Sequence, residues 1–149
     1  MTFATDYWAI INAVKTEVEK SKKTEANPTG FLTDVIIGMK AENVNFPFAA
    51  VIPGQDIIRA ETTAKMRHSI SVKVVVINED TNPLTCLHNC LDYGLAIYGD
   101  LVDDADLGGT ANTIVGASFE PAYELGSEVT LVWVVITVSI SKVRTEGNS

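Results

Sequence analysis

A chain of 149 residues, 46% hydrophobic and 20% charged, can bury about 68–70% of its unfolded surface in one core, so it needs neither disulfide nor metal to fold. Its net charge is −8, and no lysine or arginine lies between Lys73 and Lys142, where the carboxylates from Glu79 to Glu128 fall. That half repels nucleic acid, whose binding rests on cations neutralising phosphates.

No stretch approaches the ~20 apolar residues of a membrane span. Met1–Asp6 lacks the basic and apolar parts of a secretory signal, so a soluble protein made in the cytoplasm is expected. Asp6 reads as the cap of a first helix, with Tyr7, Ile11, Val14 and Val18 at helical spacing. The pattern fades through Ser21–Asn27, and Pro28-Thr29-Gly30 marks a loop. Phe31–Gly38 fits either a short strand or one more helical turn.

Phe46-Pro47-Phe48-Ala49-Ala50-Val51-Ile52 reads as a strand entered through a proline and ended by the turn signal Pro53-Gly54. Ile57–His68 is mixed and polar, a long hairpin arm or loop. Arg59, Lys65, Arg67 and Lys73 cluster there against the single acid Glu61. This basic stretch reads either as an ordinary solvated loop or as a contact with an acidic partner surface, for which Arg59, Lys65 and Arg67 are the candidate arm residues. Ser69–Ile77 alternates cleanly: Ile70, Val72, Val74 and Val76 face one way, while Ser69, Ser71 and Lys73 precede Val75 and Ile77 on the other.

Pro83 suits the first position of a second helix. Leu84, Leu87, Leu91, Leu95 and Tyr98 recur as the stripe expected to lie on a sheet. The helix ends at Asp103, Asp104 and Asp106, before Gly108-Gly109. A strand follows over Thr113–Tyr123, with a turn at Gly126.

Val129–Val143 is the most telling segment. Val132, Val134, Ile136, Val138 and Ile140 share one face. The other face starts apolar, with Val129, Leu131, Trp133 and Val135, and turns polar at Thr137, Ser139 and Ser141. Extended, the segment spans roughly 50 Å. A small antiparallel sheet ordinarily leaves one face in water, so the second apolar patch predicts a covering partner. Val129, Leu131, Trp133 and Val135 are therefore the candidate subunit interface, with Trp133 its anchor. Tyr7, Trp8, Phe46 and Phe48 are assigned to the core.

Chemistry-bearing patterns are few. Cys86 and Cys90 share a helical face, but His88 projects opposite, so the three do not converge on a metal. They are read instead as buried reduced thiols. No nucleophile elbow, phosphate loop or dinucleotide fingerprint is present. The expectation is a chain without catalytic residues, cofactor or metal.

The order α-β-β-α-β-β describes an α+β fold: a mainly antiparallel sheet of about four strands with two helices on one face. The whole chain, 1–149, is expected to form one domain, with 144–149 a disordered tail. This order, the Phe46–Ile52 entry to the first hairpin, the arm Ile57–His68 and the long last strand resemble the tail terminator, or tail completion, proteins of long-tailed phages. The resemblance is one of layout over roughly residues 5–143.

It implies a virion protein of the tail neck, assembled in the host cytoplasm. It implies a homo-oligomeric ring, hexameric in that family, that caps the tail tube and ends its polymerisation. The ring's partners would be the tail tube protein and the head connector or head-closure protein, with DNA passing through unbound and no membrane involved. Another neck component such as a head-closure protein, or a small α+β ligand-binding or regulatory module, are the alternatives.

Overall fold

The computed structural model describes residues 3–38, 45–60, 65–103, 113–125 and 130–145. Helix α1 spans Phe3–Glu19, β1 Asp34–Ile37, β2 Phe48–Ala60, β3 Lys65–Asp80, α2 Pro83–Asp103, β4 Thr113–Leu125 and β5 Thr130–Thr145. The strands form one sheet in the order β1-β2-β3-β5-β4. β1 pairs parallel with β2, and every other neighbouring pair is antiparallel. The expected α+β class holds. The sheet has five strands rather than about four, because the segment that fitted strand or helix supplies β1.

Alternation builds the core. Ile70, Val72, Val74 and Val76 of β3 and Val132, Val134, Ile136, Val138 and Ile140 of β5 point to one face, joined there by Ala49 and Val51 of β2. Both helices lie on that face: α1 brings Ile10, Ile11, Val14 and Val18, and α2 brings Cys86, Cys90, Ile97 and Leu101. β3 and β5 pair without a register break from Lys65–Thr145 to Asp80–Thr130, forming the spine of the sheet.

Four local expectations are corrected. Helix α1 begins at Phe3, so Asp6 lies inside it rather than capping it. Pro53-Gly54 does not end β2. Pro53 stays in register with Val72, Gly54 and Gln55 form a bulge opposite Ser71, and the strand continues to Ala60. The arm beyond Ile57 is thus a paired hairpin and not a loop. Arg144 and Thr145 belong to β5, opposite Met66 and Lys65, where a disordered tail was expected; residues 146–149 lie outside the described residues.

The fourth concerns α2. Its start is as expected, with Pro83 following Asn82, whose Oδ1 accepts from Thr85 N at 3.0 Å and whose carbonyl accepts from Cys86 N at 2.9 Å. Its buried stripe, however, is Cys86, Cys90, Gly94, Ile97 and Leu101. Leu84 and Leu95 are exposed by 76% and 55%, and Leu87, Leu91 and Tyr98 flank the core half-buried. Two stripes at 3.6-residue spacing competed, and the one with smaller side chains won because it lets the helix backbone approach the sheet closely. Cys90 Sγ donates at 3.5 Å to Val76 O and at 3.4 Å to Val132 O.

Candidate assembly surface

The second face of the sheet has an apolar end of its own. Phe48 and Ala50 of β2 and Val75 and Ile77 of β3 form a separate buried cluster there. Ile36, Ile52, Leu131, Trp133 and Val135 pack against it, half-buried. All come from the sheet itself, and Phe46, just ahead of β2, packs its ring on Phe48 with centroids 5.4 Å apart.

Cross-strand register arranges the patch in rows. Phe48 stands opposite Ile77, and Ile77 opposite Trp133, giving a bulky row. Ala50, Val75 and Val135 form the next row, with smaller side chains. On β3 the same face continues to exposed Lys73 on one side of the patch and exposed Glu79 on the other. In β4, Glu120 is in register with Val135 and Glu124 with Leu131.

Leu131, Trp133 and Val135 therefore stand where the sequence places them, on one apolar patch; Val129 lies outside the described residues. Phe48, Ala50, Val75 and Ile77 belong to the same surface without having been singled out for it. Their signal was present: β3 turns from polar to apolar on this face at Val75, and β5 turns from apolar to polar after Val135. Those residues are register partners. What a single strand does not reveal is that the two transitions coincide.

The arm residues also converge. Arg59 is directly opposite Arg67, and Lys65 opposite Thr145. Lys142 and Arg144 arrive at the same end of the sheet through β5, opposite His68 and Met66. They extend the basic set beyond the three residues read from the sequence.

Aromatic assignments divide. Phe48 is buried, though in the second-face cluster, and Tyr7 packs half-buried on the main core while its hydroxyl donates to Gly54 O at 2.7 Å. Trp8 is 54% exposed and Phe46 is also exposed, against the core assignment.

The thiols are both fully buried. Burial, and then the neighbouring Cys86, pushes Cys90 from its ordinary value of 9.0 up to about 12. Burial, with Asp80 next, raises Cys86 as well. Both are protonated at neutral pH, the opposite of a reactive nucleophile. His88 is on the outside of α2, its Nδ1 3.3 Å from Asp92 Oδ2. Among the described residues no three His, Cys, Asp or Glu side chains come together in a set able to hold a metal, and no helix is long and apolar enough to cross a membrane.

No family model matches this chain. No curated protein matches it either. Among solved structures, a chain from the virion of a native gene transfer agent (GTA) particle is similar to it at 15% identity. The match covers 89% of this chain and 94% of that one, with a TM-score of 0.48.

Proposed function

We propose that this chain is a structural virion protein of a tailed phage, a terminator-like subunit that forms a ring on the tail tube, ends its polymerisation and joins the tail to the head. The observation that carries this reading is the second apolar face: Leu131, Trp133 and Val135 lie half-buried on the side of the sheet away from the helices, beside the buried Phe48, Ala50, Val75 and Ile77. An apolar patch spread over four strands suits a contact with another chain. The layout of elements that resembles terminator proteins supplies the kind of contact.

In this reading the chain works by shape and adhesion. It has no catalytic residue and no cofactor. The half-buried Leu131, Trp133 and Val135 supply subunit contacts, and the β2–β3 arm, ending in Arg59, Lys65 and Arg67, reaches the tube or a neighbouring subunit. DNA passes without specific contacts, since the long run free of lysine and arginine offers phosphates nothing to bind.

The test is native mass by light scattering over a concentration series, alone and with purified tail tube protein, followed by negative-stain imaging. Rings with a central hole wide enough for duplex DNA, seated on tube ends, are the expected result. Tube growth that continues unchanged in the presence of the chain would overturn the reading.

A further inference from the structure

We infer that the outward flank of α2 docks a second copy of this chain through the same flank, the two helices antiparallel about a two-fold axis level with Tyr93. The inference does not rest on the ring reading and goes beyond it.

The α2 side chains that the core leaves out are regularly spaced. Leu84, His88, Leu91, Leu95, Tyr98 and Val102 follow one another by four and three residues in turn, the spacing of a seam between two helices. At about 100° per residue they lie on one flank of the buried stripe. The opposite flank is engaged within the chain: Tyr93 stacks on Phe31 with ring centroids 4.5 Å apart, and Asp100 accepts from Ser21 Oγ at 3.5 Å. The seam flank is open. Leu84, Leu95 and Val102 are 76%, 55% and 44% exposed, and the His88 side chain 74%. Leu91 and Tyr98 between them pack half-buried on the core, which fixes the floor of the seam.

A two-fold axis perpendicular to the helices sets residues equally far from Tyr93 opposite each other. Leu84 then meets Val102 of the second copy, and Leu91 meets Leu95. The one polar side chain, His88, meets Tyr98, whose hydroxyl can pair with an imidazole nitrogen. All three layers are made twice. Sliding the pair by one heptad either way carries two of the six residues past the end of the facing helix.

The helix ends select the antiparallel direction. α2 has no acid in its first turn and no base in its last, and it closes on Asp103, which opposes its own dipole. Antiparallel pairing brings Asp103 level with the first turn of the second copy, where negative charge is favourable. Asp80, which precedes that turn, is taken up by Asn82 N at 2.9 Å. A two-fold axis parallel to the helices would instead align the two dipoles, set Asp103 beside Asp103 and stack His88 on His88. One unfavourable pair remains in the antiparallel arrangement: the two Asp92 side chains share the rim beside the axis, each 3.3 Å from its own His88.

Sedimentation equilibrium of the full-length chain tests the contact, and paired cysteines test its register. The seam is short, so the chain is expected to be monomeric when dilute and dimeric toward about 1 mM. Leu95→Glu should raise the dimer Kd by about tenfold or more with unchanged circular dichroism, because it puts a carboxylate opposite Leu91 at both ends of the central layers. Asp92→Asn should lower the Kd by about twofold to fivefold, by removing the repulsion at the rim. Leu84→Cys mixed with Val102→Cys should form a disulfide-linked pair under mild oxidation. Neither variant alone should do so, since like positions lie about 27 Å apart at 1.5 Å per residue.

A chain still monomeric at about 1 mM overturns the inference, as does a Kd indifferent to Leu95→Glu. Linkage within a single cysteine variant as fast as in the mixture overturns the antiparallel register. Tube capping is read separately: Leu95→Glu chains that still cap tubes leave the proposed function standing, whatever becomes of the pair.

Discussion

Gly54 shows how one residue sets the path of a strand. It sits in the bulge of β2, where two residues face one on β3, and a Cβ there would come within 2.5 Å of Ser71 O. Its carbonyl also receives the Tyr7 hydroxyl of α1, tying helix to bulge at 2.7 Å. Gly54→Ala is expected to lower stability by about 1–3 kcal/mol through overpacking, measured by denaturant unfolding. The thiols give a second prediction. Between pH 9.0 and about 12 the unfolded chain releases the Cys90 proton while the folded chain retains it. Stability conferred by the neutral thiol is complete below pH 9.0 and falls as pH rises through that window. Cys86 shifts in the same direction and adds to the loss. Denaturation midpoints across that range should therefore decline, and Cys90→Ala should flatten the decline.

At the scale of elements, α2 is the instructive case. Its leucines read as the sheet-facing stripe, yet Cys86, Cys90, Gly94, Ile97 and Leu101 take that place. The two stripes sit about 100° or more apart on one cylinder, and counting large apolar residues favours the wrong one. Close approach of helix to sheet favours small residues, a property of the space between the layers and not of the helix alone. Cys90→Leu should cost about 1–3 kcal/mol, because it forces the helix away from the carbonyls of Val76 and Val132. Leu95→Ala, at a 55% exposed position, should change stability by no more than about 0.5 kcal/mol. The reverse ranking in thermal or urea unfolding would restore the leucine stripe to the sheet.

For the whole molecule, the sheet is the framework and its two faces have different tasks. One is buried by α1 and α2, and the other carries a second, smaller apolar cluster around Phe48, Ile77 and Trp133. The alternations of Ser69–Ile77 and Val129–Val143 made both long strands and their two-sided character legible from the chain, because side-chain direction follows strand period without reference to anything else. The class, the two helices and the apolar second face around Trp133 were determined at that level. Register was not. That β3 and β5 align Val75 with Val135 and Ile77 with Trp133, that β2 adds Phe48 and Ala50, and that Lys142 and Arg144 join the arm depends on pairings between segments far apart in sequence. Only the tertiary structure decided these, since hydrogen-bond registry and interlayer spacing are set by every strand and helix together.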